Sequence, residues 1–253
     1  MTTPEPAAAA QERVPPPPRQ EVPWRLPDAV GVFLLVAVLV ALAGQALLTV
    51  LPPETADTAF FPLSLGMLGV VTLAYVAVRY GRGGLLALGG ERQFRPSDLV
   101  VGTLHGIVGF LVINVGFAAL LAGITTLLGG EVPEVQEGLR EVALETQVPA
   151  LFVISAVAVA PLAEELFFRG MLFARLRDRL GRWPAIGLAS ILFSLAHYEV
   201  GNVQGSLYTF VVLFPFAMYL AWMFDRHRSI AVPMMMHAVF NAFGVAGILA
   251  GVA

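Results

Sequence analysis

Hydrophobic residues lie along this chain in long runs separated by short polar segments. A helix needs about 20 mainly apolar residues to cross the hydrocarbon core of a bilayer, and most of the runs reach that length. The third run is long and the fifth is short. The pattern predicts an all-α fold, a polytopic transmembrane bundle of about seven spans. The runs are Asp28–Leu51, Ala59–Arg79, Leu99–Leu128, Pro149–Phe173, Trp183–Tyr198, Ser206–Phe224 and Ile230–Ala250.

The segment that precedes the first run is polar and rich in proline and alanine, with four consecutive prolines at Pro15–Pro18. A segment of this composition has too few apolar residues to bury a core. We therefore predict a disordered cytoplasmic tail over residues 1–27. It lacks the early apolar stretch and small-residue cleavage site of a secretory signal peptide. Residues 28–253 are predicted to form a single transmembrane domain.

Composition agrees with a membrane protein. The chain is 57% hydrophobic and 13% charged, whereas soluble domains carry about 25% charged residues. Membrane lipid is thus an expected partner, and the net charge of −3 gives no basic surface for nucleic acid. The absence of cysteine excludes disulfides, thiolate metal ligands and a cysteine nucleophile. Every basic residue is arginine, which also excludes a catalytic lysine.

Most of the arginines lie in alternate loops, and this distribution predicts the orientation of the chain. They cluster before the first run and in the loops after the second, fourth and sixth runs, whereas the other loops contain only Arg140. The positive-inside rule then places the N-terminus and the arginine-rich loops in the cytoplasm. We predict a multi-pass protein of the plasma membrane. The acidic segment 131–145 is either a short amphipathic helix at the outer surface or an ordinary loop.

Three of the apolar runs contain polar residues that a lipid-facing helix would not tolerate. Ionisable groups at membrane depth are costly and persist mainly where they face a protein interior or a wet cavity. Their presence therefore predicts a functional site formed by three helices. The residues are Glu164, Glu165 and Arg169 in the fourth run, His197 in the fifth, and His237 and Asn241 in the seventh.

The spacing of these residues suggests their roles. Glu165 and Arg169 are four apart, share a helix face and are expected to pair. Glu164 points away from that pair and would be free to act on water as a general base. His237 and Asn241 are also four apart and could donate hydrogen bonds to an oxyanion. His197 could orient Glu164 or share its role. Each group alone could instead serve helix packing, but together they could hydrolyse an amide without a covalent intermediate.

The motifs resemble those of the CPBP family of intramembrane endopeptidases. This family includes the type II CAAX prenyl proteases and bacterial proteins linked to bacteriocin processing and immunity. Its pattern is Glu-Glu-x-x-x-Arg, Phe-x-x-x-His and His-x-x-x-Asn on successive core helices. Here the pattern is found as Glu164-Glu165 with Arg169, as Phe193 with His197, and as His237 with Asn241. The resemblance covers residues 149–243, the predicted motif core.

The resemblance implies specific catalytic roles. Glu164 and His197 would activate water, and His237 and Asn241 would form an oxyanion hole. Glu165, Arg169 and Phe193 would support them. The family has been described both as metalloproteases and as metal-free glutamate proteases, and we favour a metal-free mechanism for this chain. Zinc bound by Glu164, His197 and His237 is the alternative, although the zinc-protease motif His-Glu-x-x-His is absent.

The sequence is compatible with three functions. The first is an intramembrane endopeptidase that cleaves a membrane-associated or lipidated peptide or protein. The second is a non-catalytic immunity or peptide-binding protein that uses the same cavity. The third is a proton-coupled transporter, with Glu164, His197 and His237 as a proton relay. The third is disfavoured because no second half of the chain repeats the motifs, whereas many transporters contain internal repeats.

Overall fold

A computed structural model describes residues 21–133 and 137–251, without the side chain of Glu54. Over these residues the chain is helical, and six of the helices are long and apolar enough to cross a membrane. The predicted all-α, multi-pass membrane fold is confirmed. The eight helices of the described residues are α1 (Leu26–Val50), α2 (Pro53–Leu88), α3 (Pro96–Leu127), α4 (Glu137–Glu145), α5 (Pro149–Leu180), α6 (Arg182–Leu195), α7 (Val203–His227) and α8 (Ala231–Leu249).

The fifth predicted run corresponds to the short helix α6. Its 14 residues extend about 21 Å at 1.5 Å per residue, which is less than the hydrocarbon core. The helix ends at Leu195 rather than continuing to Tyr198, and the chain turns immediately afterwards. The turn places His197 at the end of a short helix, inside the bundle.

Proline and short polar side chains fix where the helices begin. Proline occupies the first turn of α1, α2, α3 and α5, where its missing N–H leaves no hydrogen bond unmade. Asp28 and Asp98 accept hydrogen bonds from the backbone N–H groups of Arg25 and Arg95. Asn202 accepts the N–H of Gly205 at the start of α7. These interactions satisfy backbone donors that helix ends otherwise leave unpaired.

The predicted tail over residues 1–27 extends too far. Residues 1–20 lie outside the described residues, but Trp24 is completely buried and its indole N–H donates to the carbonyl of Met171 at 2.8 Å. The backbone N–H of Val22 donates to Asp178 at 3.0 Å. A tryptophan this close to an apolar run has enough apolar area to anchor its segment against α5, so ordered structure begins before residue 27.

Helix α5 lies at the centre of the bundle and carries the first motif. Gly69 of α2 approaches it so closely that an added Cβ would lie 3.0 Å from the Cβ of Ala163. Farther along α5, a Cβ on Gly170 would lie 2.8 Å from the carbonyl oxygen of Leu88. Small residues allow such close helix contacts in membranes. The backbone of α5 beside Glu164 is therefore held firmly by α2.

Helix α8, which carries the third motif, packs against α3 in a similar way. A Cβ on Gly102 would lie 2.8 Å from the carbonyl oxygen of Val232. A Cβ on Gly106 would lie 2.8 Å from both the carbonyl oxygen of Met236 and the Cβ of Val239. The two glycines are four residues apart and form the small-residue stripe typical of close helix pairs. The contact fixes α8 next to His237.

The acidic outer segment contains a helix, α4, which resolves the two alternatives left by the sequence. Its Leu139 and Val142 pack with the buried side chains of Ala143, Phe152 and Val245. Its glutamates lie on the more polar side of the helix, as expected for an amphipathic helix at a membrane surface. Helix α4 thus packs against the start of α5 and the end of α8.

Candidate active site

The side chain of Glu164 lies at the centre of the candidate site and is 14% exposed. Its Oε2 atom lies 3.9 Å from Nε2 of His197 and 3.9 Å from Nε2 of His237. Oε2 is buried, and none of the residues that the structure describes forms a hydrogen bond to it. The separation of 3.9 Å is too long for a direct hydrogen bond but short enough for one bridging water.

Both histidines present Nε2 to Glu164 because their other ring nitrogen is already bonded. Nδ1 of His197 donates to the carbonyl of Phe193 at 2.9 Å. Nδ1 of His237 lies 2.9 Å from Oε1 of Glu165. A carbonyl or carboxylate oxygen accepts hydrogen bonds, so each Nδ1 carries the proton. In a neutral ring, Nε2 is then free to accept a hydrogen bond from water.

Glu165 and Arg169 form the pair that their spacing predicted. Nη1 of Arg169 donates to Oε1 of Glu165 at 2.9 Å, and the two side chains are 2% and 0% exposed. Arg169 also donates from Nη2 to the carbonyl of Ala217 at 3.3 Å. The expectation that Glu164 would be isolated from this pair is incomplete. His237 lies between the two carboxylates and couples Glu165 to the face that Glu164 occupies.

Phe193 is the packing centre of these groups and is 1% exposed. The guanidinium of Arg169 lies 4.4 Å from its ring centroid, close enough for a cation–π contact. The rings of His197 and His237 lie 4.8 Å and 5.8 Å from the same centroid. One aromatic side chain thus packs against Arg169 and both histidines and helps to fix the positions of all three.

Asn241 reaches the site from α8, one turn after His237. Its Nδ2 donates to the carbonyl of Ala156 at 2.9 Å. Ala156 lies in a π-helical stretch of α5, Ser155–Val159, and such stretches are frequent at functional sites. A side-chain amide carries two N–H groups, so the second remains available to a ligand. The hydrogen bond to Ala156 fixes the orientation of the amide.

The four predicted catalytic side chains line one cavity of about 410 Å³. Glu164, His197, His237 and Asn241 all contribute to its wall, together with Phe193. Most of the remaining wall is apolar. A pocket of this size with a few converging polar groups is typical of a small ligand or a short segment of a larger one. The predicted convergence of the three motifs is observed.

Among the described residues, no group of three or more histidine, aspartate and glutamate side chains is arranged to hold a metal ion. In the alternative zinc set, the carboxylate oxygen of Glu164 lies 3.9 Å from each Nε2. Tetrahedral zinc ligands at about 2.0–2.1 Å from the metal are roughly 3.4 Å apart. The atoms of Glu164 and the two histidines are thus about 0.5 Å farther apart than the ligands of a bound zinc ion.

The fold and the site define a class, a polytopic membrane protein with a glutamate–histidine centre between its helices. Residues 146–243 match the family model described as type II CAAX prenyl endopeptidase Rce1-like. This segment contains all three motifs and nearly coincides with the predicted core, 149–243. The resemblance to type II CAAX prenyl proteases is therefore confirmed over this part of the chain.

Two curated proteins are similar to the chain. The "Putative membrane peptidase YdiL" of Bacillus subtilis (strain 168) is 30% identical over 98 residues, which are 39% of this chain and 37% of that protein. CAAX prenyl protease 2 of Homo sapiens is 28% identical over 105 residues, 36% of this chain and 32% of that protein. The chain thus matches about a third of the length of each relative. No solved structure matches the chain significantly.

Several residues that help to form the site carried little signal in the sequence. Asn114 of α3 lines the cavity, although a membrane asparagine most often serves helix packing. Phe216 of α7 lies against His237, with ring centroids 5.7 Å apart. Glu199, which follows α6, also lines the cavity and accepts the N–H of Gly138 at 2.6 Å. Only contacts between distant helices reveal these roles.

Proposed function

We propose that this protein is an intramembrane endopeptidase of the CAAX prenyl protease type, which hydrolyses a peptide bond in a membrane-associated or lipidated peptide or protein. The single observation that carries the proposal is the position of Glu164. Its buried Oε2 lies 3.9 Å from two Nε2 atoms and bonds to none of the described residues. The family match over residues 146–243 supports the same activity.

In the proposed first step, Glu164 and His197 hold the attacking water. Nε2 of His197 can accept a hydrogen bond from one O–H of the water, which stays intact, because Nδ1 of this ring donates to the carbonyl of Phe193. The carboxylate of Glu164 accepts the other proton as the water oxygen bonds to the carbonyl carbon of the substrate. General-base catalysis of this kind contributes about 10²–10⁴-fold to a rate.

The resulting tetrahedral oxyanion needs hydrogen-bond donors, which His237 and Asn241 can supply. Asn241 has its second amide N–H available, because the first is bonded to the carbonyl of Ala156. His237 can donate from Nε2 only when both ring nitrogens are protonated. The carboxylate of Glu165, 2.9 Å from Nδ1, stabilises that charged ring. Glu165 is thus a positioning residue for the oxyanion step.

Collapse of the tetrahedral intermediate completes the reaction. The C–N bond breaks, and the departing amine takes the proton that Glu164 received from the water. The products are a free amine and a carboxylic acid, which releases the second proton of the water to solvent, and Glu164 is again ionised. No covalent bond to the protein is needed, which agrees with a chain that lacks cysteine and lysine. The proposed mechanism requires no metal.

Comparison of membrane proteomes tests the proposal. Protein termini are compared between cells that express the wild-type protein and cells that express the Glu164→Ala variant. The proposal predicts termini that are present with the wild-type protein and absent with Glu164→Ala at equal protein abundance. Identical termini in both cells would contradict it. Retention of the biological effect by Glu164→Ala would favour the non-catalytic peptide-binding alternative.

A further inference from the structure

Helix α3 has a histidine and an asparagine near its middle, His105 and Asn114, which the proposed chemistry does not use. Polar groups in a membrane helix are costly and persist mainly where they face a protein interior or a wet cavity. His105 meets this condition through a partner, because its Nδ1 hydrogen-bonds with the hydroxyl of Tyr219 on α7. This pair links two helices and accounts for His105 without reference to the cavity.

Asn114 has no such partner within the protein. Its side chain forms no hydrogen bond to any residue of the described ranges 21–133 and 137–251. The residue is partly buried and lies in the wall of the catalytic cavity. Taking an amide out of water without replacing its hydrogen bonds is costly. The cost is explained if a group that enters the cavity supplies the missing hydrogen bonds.

The neighbours of Asn114 along α3 hold this part of the helix in place. One turn before it, the ring centroid of Phe110 lies 5.7 Å from that of Phe240 on α8. One turn after it, the carbonyl of Ala118 accepts a hydrogen bond from the hydroxyl of Tyr208 on α7 at 3.1 Å. The backbone that carries Asn114 is therefore fixed against both α7 and α8, which also line the cavity.

The backbone around Asn114 is π-helical over Phe110–Phe117. Such stretches are rare in proteins and frequent at functional sites. Another one, Ser155–Val159 of α5, provides the carbonyl of Ala156 that orients Asn241. Both stretches contribute to the wall of the same cavity. The cavity is thus lined by two carboxamides: that of Asn241 has one N–H engaged, whereas that of Asn114 bonds to none of the described residues.

The chemistry of a carboxamide matches that of an extended polypeptide backbone. A carboxamide has an oxygen that accepts hydrogen bonds and N–H groups that donate them. An extended segment presents the N–H and the carbonyl of the same residue on one side, so a single carboxamide can bond to both, whatever the side chain of that residue. Most of the cavity wall is apolar, including Val212, Leu213 and Phe216 of α7. Hydrogen bonds are stronger in such surroundings than in water.

We propose that Asn114 is a substrate-binding residue, whose side-chain amide hydrogen-bonds to the backbone N–H and carbonyl of one substrate residue near the cleaved bond. The inference rests on the proposed function, because it takes the cavity as the place of cleavage. Recognition of this kind selects a substrate by its conformation. The segment must be extended at this point, because the backbone groups of a helix are already bonded to one another. Proline is disfavoured at the contacted position, because it has no N–H.

Thermal unfolding of the purified protein in lipid nanodiscs distinguishes substrate binding from helix packing. Asn114→Leu replaces the amide with an apolar side chain of similar size and should unfold at the same temperature as the wild type or at a higher one. Tyr219→Phe is the matched control, because it breaks the hydrogen bond to His105 and should lower the unfolding temperature. A decrease in Asn114→Leu as large as that in the control would show that the amide serves packing and would overturn the proposal.

Cleavage is measured with a synthetic peptide that spans a terminus produced by the wild-type protein and not by Glu164→Ala. Asn114→Leu should raise KM about 10-fold, as expected for the loss of one or two neutral hydrogen bonds. It should leave kcat unchanged, which is the result of losing substrate binding alone. Tyr219→Phe should change neither KM nor kcat. An unchanged KM in Asn114→Leu, or a loss confined to kcat, would overturn the proposal.

Ester substitution identifies the substrate residue that Asn114 contacts. Each peptide bond that flanks the cleaved one is replaced in turn by an ester, which has no N–H. One ester should raise KM for the wild-type protein and have no further effect in Asn114→Leu, because both changes remove the same contact. Additive effects at every position in an active protein would overturn this inference alone. A wild-type protein that produces no such terminus would instead refute the proposed function.

Discussion

The two halves of the bundle use the same kinds of charged side chains in opposite ways. In the half next to the arginine-rich loops, Asp98 bonds to Arg92 at 2.5 Å and to the hydroxyl of Ser229 at 3.0 Å. Asp225 pairs with Arg177 at 2.9 Å and with Arg182 at 3.0 Å. These carboxylates are fully engaged with partners that connect loops to helices.

The cavity half contains a carboxylate that is not engaged in this way. Glu164 is held 3.9 Å from two imidazoles, and its neighbour Glu165 makes the structural contacts instead. A buried polar group without a partner destabilises a fold, and such costs are often found at functional sites. Carboxylates thus stabilise the arginine-side half, whereas the buried Oε2 of Glu164 costs stability, as we expect of the group that we propose to act on water.

The largest expected effect comes from Glu164→Gln. We expect the cleavage rate to fall by about 10²–10⁴-fold, because a carboxamide cannot accept the proton of the water. The unfolding temperature should stay the same or rise, since Oε2 bonds to none of the described residues. Rates and thermal unfolding of the purified protein in lipid nanodiscs measure both effects. A large loss of stability would show that Glu164 is structural and would remove the contrast between the two halves.

Glu165→Gln should lower both the stability of the protein and its cleavage rate. The change leaves the buried guanidinium of Arg169 without its counter-charge, and breaking a buried pair in this way costs about 3–5 kcal/mol. It also removes the charge that supports a protonated His237, so the rate per folded molecule should fall. Chemical unfolding and cleavage assays are the measurements. Arg169→Lys is the matched control, because it retains the positive charge and should lose less stability. Equal losses in the two variants would argue against the role of the charge.

Gly106→Ala tests how precisely α3 positions α8. The new methyl would lie 2.8 Å from the carbonyl oxygen of Met236 and from the Cβ of Val239, so α8 must shift. Displacing catalytic groups by about 1 Å can cost on the order of 100-fold in rate, and we expect a loss of about 10–100-fold. Gly123→Ala, on the same helix with nothing within 4 Å, should be indistinguishable from wild type in cleavage. An unchanged rate in Gly106→Ala would refute the positioning role.

Asp225→Asn should give the smallest effect. It should lower stability and leave the cleavage rate unchanged, which is the reverse of the result expected for Glu164→Gln. Its two arginine partners are 25% and 36% exposed, so water can replace part of the lost interaction. We expect a loss of about 1–2 kcal/mol in the free energy of unfolding. The cleavage rate per folded molecule should not change, because Asp225 lies in the arginine-side half. A reduced cleavage rate in fully folded Asp225→Asn protein would show that the two halves of the bundle are coupled.

Much of the fold was predictable because membrane helices have a characteristic sequence pattern. Long apolar runs and alternating arginines follow directly from the cost of polar groups in lipid. Glu164, His197 and His237 were also recognisable, since ionisable residues at membrane depth are rare. The i to i+4 spacing of Glu165 and Arg169 identified their pair, which the structure shows.

Other features depend on contacts that spacing along one helix does not specify. The hydrogen bond between Glu165 and His237 joins α5 to α8. The periodicity of a sequence does not predict which carboxylate will bond to an imidazole on a distant helix. The early end of α6 depends on a turn that places His197 in the site. The burial of Trp24 depends on a space beside Met171 that exists only in the assembled bundle. These are tertiary effects, which override local pattern.

We propose that Glu164 and His197 hold a water molecule between them, on the side of Glu164 that His237 also faces. A high-resolution experimental structure in lipid, recorded with anomalous data at the zinc edge, tests it directly. We expect one ordered solvent molecule about 2.7–3.2 Å from Oε2 of Glu164 and from Nε2 of His197, without an anomalous signal. A metal ion at that position, or a direct hydrogen bond from Glu164 to either histidine that leaves no room for solvent, would contradict it.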